Sequence, residues 1–415
     1  MRRSSFPPQV LVALCLAAGA SLASAQAPAP GATPARPRPA AAKPPAAKPA
    51  GAATKTADPP GFAAIVTQAS AARDASDLDR AIALYKRGLA LKPDWTEGWW
   101  GLGTACYDLD RYAEANDAFR RVLARDDSDG VTWVFKGLTS FKLKRYDEAL
   151  SELLQARRRG VTSSREISEA ARYHTALLLI RNEDYDQALA VLSDFGLEGN
   201  DSPRIIEAMG LATLRTPMLP DDLPGTKREL VMLAGRAQYF MAARLLQASQ
   251  NAFETLVSRY PDTPNVHYAY GVMLVGEQPE QAIERFTREL KVSPTNVLAK
   301  IQIAFAHIKR SEFAEAKPWA EQAVQEAPTQ FVAHNALGQV LLNLGDVEGA
   351  VRAMENAVKL APDSPAMHFA LARAYRAAKR TADADREQAE FTRLDRLVRQ
   401  QRTGENSVGG MAPPK

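Results

Sequence analysis

The chain is poor in the residues that carry redox and metal chemistry, with 2 cysteines and 5 histidines among 415 residues. Cys15 lies in an N-terminal apolar stretch and Cys106 stands alone in the body, so no intrachain disulfide is expected once that stretch is removed. Stability then has to come from a hydrophobic core, which several hundred residues can build. Long apolar runs are also missing. The one stretch of note, from Val10 to Leu22, is well short of the roughly 20 residues that span a bilayer. The sequence has no GxSxG turn, no glycine-rich phosphate loop, no HExxH and no cysteine with a spaced histidine partner. Nucleophilic, nucleotide-driven and metal-assisted catalysis therefore have no visible basis, and neither an enzyme nor a cofactor is expected.

Arg2 and Arg3, the Val10–Leu22 stretch and the small-residue triplet Ala23-Ser24-Ala25 have the order of a secretory leader, assigned to residues 1–25. Export to the periplasm or beyond is the expectation. Residues 26–60 are almost all alanine and proline, with Arg36, Arg38, Lys43, Lys48 and Lys55 and no acid before Asp58. Such a segment buries too little apolar surface to offset its ordering entropy and is read as a disordered basic linker. It is a spacer or an electrostatic tether to the envelope. With this positive charge set aside, the remaining body is slightly acidic, which removes the electrostatic case for nucleic acid.

From Phe62 onward the sequence repeats with a period of 34 residues. Trp99, Gly103, Tyr112, Ala115 and Phe119 return one period later as Trp133, Gly137, Tyr146, Ala149 and Leu153. Phe313, Ala316, Ala320 and Pro328 continue the pattern, as do Gly338, Gly345, Ala350, Met354, Ala357 and Pro362. Each unit reads as two amphipathic helices, with Gly103, Gly137, Gly271 and Gly338 set where helix axes approach. A mid-helix glycine costs about 1 kcal/mol against alanine, so its recurrence at one place points to close packing. Pro93, Pro261, Pro294, Pro328 and Pro362 end second helices, since proline cannot donate the next backbone hydrogen bond.

These residues resemble the tetratricopeptide repeat pattern over roughly residues 62–390. The resemblance implies an all-α fold, a right-handed α-solenoid of antiparallel helix pairs whose concave face is lined by first helices. It implies a scaffold for protein or peptide partners. A block at 61–195 and another at 229–402 with a capping helix are expected, the latter followed by a disordered tail at 403–415. Between them, residues 196–228 carry a helix over Ile205–Leu214 and then Pro217, Pro220 and Pro224. This segment is a decayed repeat used as packing, or a hinge or binding loop. The unit beginning at Pro264 is one residue short near Gly276 to Pro279.

His267, His334 and His368 share the place that Trp99 and Trp133 occupy in earlier units. Residues one repeat apart cannot gather around one ion, so they are read as packing and no metal site is expected. Asp126-Asp127-Ser128-Asp129-Gly130 resembles a calcium loop but lacks the distal acid, and is read as a turn.

The repeat geometry of the resemblance places Trp100, Tyr107, Phe141 and Tyr173 along the groove of the first block. In the second it places Tyr268, Phe305, Asn335, Gln339, Phe369, Arg373 and Arg376 there. Aromatics are common interface anchors, and amides can grip a peptide backbone whatever its sequence. The family's clamp for chaperone C-termini is not reproduced by Asn335, Gln339 and Ala370. Expected function is an exported adaptor binding peptide or protein partners. The alternative is a structural part of a cell-envelope assembly or polysaccharide-export machine. The oligomeric state is open.

Overall fold

A computed structural model describes residues 58–161 and 164–409, so the expected leader, nearly all of the linker and the last residues of the tail lie outside the described residues. Among the described residues there are 19 α-helices and no strand. The fold is an all-α repeat solenoid. No described helix is long and apolar enough to cross a membrane.

By their contacts the described residues fall into two compact units that divide between Leu179 and Ile180. This lies inside a helix, upstream of the 196–228 segment expected to mark the break. In the first unit, helices α1 (Phe62–Asp74), α2 (Leu78–Leu91), α3 (Thr96–Asp108), α4 (Tyr112–Leu123), α5 (Gly130–Lys142) and α6 (Tyr146–Arg159) follow one another, and α7 (Arg165–Arg181) spans the division. From α1 to α6 each helix packs on the next. One continuous core results, running through Tyr85, Trp100, Phe119, Phe135 and Leu153. It contains one polar network: buried Ser140 donates to Glu152 (2.7 Å), accepts from Asn116 (3.0 Å), and Glu152 pairs with Lys136. The buried Ser140 hydroxyl and both Glu152 oxygens thus have partners, as burial demands.

The second unit contains α8 (Tyr185–Leu197), α9 (Pro203–Thr213), α10 (Gly225–Ala242), α11 (Leu246–Arg259), α12 (Val266–Leu274), α13 (Pro279–Val292), α14 (Val297–Lys309), α15 (Phe313–Glu326), α16 (Phe331–Asn343), α17 (Val347–Leu360), α18 (Pro365–Ala377) and α19 (Thr381–Gly409). The helix expected at Ile205–Leu214 is α9. From Ile205 through Thr213 every residue is buried, because α9 lies against both α8 and α10. The approach to α10 is set by two glycines: a Cβ on Gly210 would stand 1.9 Å from the Val231 carbonyl oxygen, and one on Gly235 1.8 Å from that of Ile206. The proline-rich stretch that follows is tied down by buried Leu219 and Leu223 on either side of a short 3-10 turn, Pro220–Asp222. Helix α9, Leu219 and Leu223 are thus packed, while Pro217, Asp221, Asp222 and Pro224 of the same segment are exposed.

Three devices recur. First helices end in the same turn. Ser76, Asp110, Lys144, Arg244, Ser311, Gly345 and Lys379 all have φ between 58° and 86°. The next N–H reaches back to a carbonyl of the last helical turn, as in Arg145 to Ser140 (2.9 Å) and Arg380 to Tyr375 (2.9 Å). This is the Schellman arrangement, and only one of these positions holds the glycine that suits it. The short repeat lacks the left-handed residue; there Lys309 on α14 supplies its ammonium to the carbonyls of Val275 (3.5 Å) and Gly276 (2.5 Å).

Second, the recurrent helix glycines face the partner helix as expected: a Cβ on Gly103, Gly271 or Gly338 would meet Phe119, Phe286 or Met354 within 2.7 Å. Third, the shared Trp/His position has a polar purpose that packing alone does not describe. Trp99 and Trp133 donate their indole N–H to the carbonyls of Pro93 (2.9 Å) and Asp127 (2.8 Å). His267, His334 and His368 donate Nε2–H to those of Pro261, Pro328 and Pro362 at 2.8 to 2.9 Å. Each ring thus satisfies a carbonyl in the turn between units, where the helix has ended and no backbone donor follows.

Candidate functional site

Within the second unit, first helices α14 and α16 touch each other, as do α16 and α18; in the first unit α3 touches α5 in the same way. First helices therefore share a side on which they adjoin directly. The groove candidates all sit on first helices, but their accessibilities differ sharply.

Trp100 is fully buried, its ring 5.6 Å from Phe119 and 5.4 Å from Phe135. It cannot meet a partner, a correction to its expected groove role: the next repeat supplies Phe135, which closes over the indole. Tyr268 and Asn335 are buried too. Tyr268 packs on Phe286 (5.8 Å), and burial pushes its hydroxyl up to about 12. Asn335 accepts from Gln339 Nε2 (3.2 Å), so the two amides spend their polarity partly on each other.

Tyr107, Phe141, Tyr173, Phe305 and Gln339 are half-buried. Tyr107 wedges between Tyr112 and Phe135, each 5.7 Å away, and burial raises its pKa well above the usual tyrosine value. Phe141 and Tyr173 both lie edge-on to His174, at 4.8 and 5.3 Å. Phe305 rests on the core formed by Ile301 and Ala304.

Phe369, Arg373 and Arg376 are exposed, Phe369 by 43%. They follow one another at helical spacing along α18 and so form one stripe. Phe369 leans on Phe391 of α19 (5.4 Å), and Arg376 donates to Gln388 (2.9 Å). Arg373 has no carboxylate within ion-pair distance among the described residues. The structure thus gathers an apolar anchor and two guanidiniums on one stripe of α18, whose neighbour α16 carries Gln339.

Two features escaped the sequence reading. Glu289 stands where other second helices carry a small apolar residue such as Ala156, Ala323 or Ala357. It is fully buried and accepts from the backbone N–H groups of Asn265 (2.8 Å) and Tyr268 (3.1 Å), capping α12, whose own N-cap side chain forms no cap bond. The Gly210 and Gly235 contact was also missed, because neither residue falls on the repeat pattern. Among the described residues no group of three or more His, Cys, Asp and Glu is arranged to hold a metal ion.

The tetratricopeptide repeat family matches residues 66–130, 136–195 and 335–387. These three segments, together less than half of the chain, match tetratricopeptide repeats. A scaffold for protein–protein interaction is the general role that goes with such repeats. Among curated relatives, the human trafficking protein particle complex subunit 12 is 25% identical over 141 residues, covering 31% of this chain and 19% of its own length. The mouse protein of that name is 27% identical, with 31% and 18% covered. The chain thus spans about a fifth of the length of these relatives. Among solved structures, MamA from Desulfovibrio magneticus RS-1 is 21% identical and covers 42% of this chain and 97% of its own, with a TM-score of 0.36. The anaphase-promoting complex hetero-tetramer Cut9-Hcn1 is 11% identical, covering 84% and 89%, with a TM-score of 0.36.

Proposed function

We propose that this tetratricopeptide-repeat chain is an exported, non-catalytic scaffold that grips a protein or peptide partner at the exposed stripe of α18. Phe369 receives an apolar side chain, and Arg373 and Arg376 receive acidic groups beside it. The observation that carries the reading is the uneven exposure of the groove positions. Trp100, Tyr268 and Asn335 are closed into the core, while Phe369, Arg373 and Arg376 present an aromatic and two cations together. Aromatic and arginine side chains are the residue types that dominate interface energetics, the arginine fork matching a carboxylate. Export rests on the leader-like order of residues 1–25, and the basic linker at 26–60 would reach toward an anionic envelope surface.

The test is capture of partners from envelope extracts by the full chain and by Phe369→Ala/Arg373→Ala. Both residues are exposed, so circular dichroism and melting should be unchanged while capture falls. Undiminished capture sinks the reading. Trp100→Ala is the wrong probe, since it opens a cavity in the core and reports stability.

A further inference from the structure

A cleft of about 540 Å³ opens where the turn after α11 faces α13, lined by Pro261, Asp262, His267, Arg285, Arg288 and Lys291. It contains none of the groove positions and lies apart from the α18 stripe in sequence and in element. We propose that it binds a compact oxyanion, a phosphate or the phosphoryl group of a monoester.

The charge is the first support. Arg285, Arg288 and Lys291 are one helical turn apart along a single face of α13, and among the described residues none has a carboxylate within ion-pair distance. Nearby acids are engaged elsewhere: Glu289 caps α12, and Glu254 accepts from the Tyr270 hydroxyl (3.2 Å). Against three cations the cleft sets one carboxylate, Asp262, so its surplus matches a dianion. This concentration is peculiar to α13. The corresponding places are Trp319, Gln322 and Gln325 on α15, and Ala353, Asn356 and Lys359 on α17.

Preorganisation is the second. The Arg285 guanidinium is held over the Tyr270 ring at 4.7 Å, which orients its planar fork before any ligand arrives. The third support is His267. Its Nε2–H is committed to Pro261, and its Nδ1 is buried with no partner. Burial, with repulsion from Arg285 and Arg288, holds its pKa below the usual histidine value, against the pull of the Pro261 carbonyl and of Glu289. An oxyanion seated between the guanidiniums cancels that repulsion and favours the imidazolium, so binding is coupled to proton uptake at His267.

Two sources of a phosphoryl group are separated by experiment. The full chain at low ionic strength is titrated calorimetrically with inorganic phosphate. In parallel it is floated with phosphatidylcholine vesicles with and without phosphatidic acid. Saturable binding of inorganic phosphate is expected, weakened at least about tenfold in Arg288→Ala/Lys291→Ala. Both residues are exposed and unpaired, so the variant should melt as the parent does. Imidazole NMR should show the His267 titration moving up when phosphate is added. Binding to phosphatidic acid vesicles alone assigns the site to a lipid headgroup, the same chemistry from another source. The absence of saturable binding in both arms, or equal binding by the double variant, overturns the proposal.

Discussion

Replacing Gly210 by alanine asks how tightly α9 is held, and the answer can be worked from the approach of two helices. The added Cβ would lie 1.9 Å from the Val231 carbonyl oxygen, where real contacts essentially never fall under 3.0 Å. The obstacle is backbone, so no rotamer change relieves it, and α9 and α10 must part by about 1 Å. A gap of that size forfeits a quarter to a half of each dispersion contact along the interface. Every residue from Ile205 to Thr213 is buried there, so the cost belongs at the upper end of overpacking, about 3 kcal/mol. Gly338→Ala is the control. Its Cβ meets Met354 Cγ at 2.6 Å and the Ala350 carbonyl oxygen at 3.3 Å, a clash mainly with a side chain that can shift in part, and alanine's better helix propensity returns about 1 kcal/mol. A clearly smaller loss than for Gly210→Ala is expected. Denaturant unfolding followed by circular dichroism gives the midpoints, and hydrogen exchange should place the Gly210→Ala loss in α8 to α10 first. If Gly210→Ala is no worse than Gly338→Ala, the account of this packing is refuted.

Two further outcomes are expected. Lys144 and Lys379 hold left-handed backbone at φ 59° in the turns that end α5 and α18, so glycine at either should stabilise by about 0.5 to 1 kcal/mol, read as a raised unfolding midpoint; a loss would contradict the turn assignment. Burial raises the pKa of Glu207 on α9 above the usual carboxylate value, despite Arg228 at 3.5 Å. The charged form is thus disfavoured in the fold, so Glu207→Gln should stabilise at neutral pH, and the advantage should fade as pH falls through that raised pKa. An advantage constant with pH would show that the carboxylate is not the cause.

Much of this fold was legible because tetratricopeptide repeats write their packing into spacing. The glycines at 103, 137, 271 and 338, and the prolines two residues beyond α2, α11, α13, α15 and α17, mark contacts and ends made inside one unit or between neighbours. The helix expected over Ile205–Leu214 is found at Pro203–Thr213. What spacing does not encode is which side chains are covered. Trp100 and Phe369 both belong to the first-helix positions assigned to the groove. One is enclosed by Phe135 from the following repeat, while the other is followed by the terminal α19, whose Phe391 supports the Phe369 ring without enclosing it. The role of Glu289 was hidden for a related reason. A carboxylate at a small-residue position reads as a solvated charge until the turn it caps is seen, 21 to 24 residues away in sequence. The Gly210 and Gly235 contact lies where the repeat lapses, beyond the reach of any periodic argument.

The most direct test of the scaffold reading is site-specific photo-crosslinking in the native cell, with p-benzoylphenylalanine placed at Phe369 and, as a control, at Leu245, an exposed residue in the turn between α10 and α11. A discrete adduct from position 369, reduced by Arg373→Ala and absent from position 245, is the expected result. Adducts of equal yield from both positions, or none from 369 when the protein is folded and expressed, would contradict the claim that the α18 stripe holds a partner.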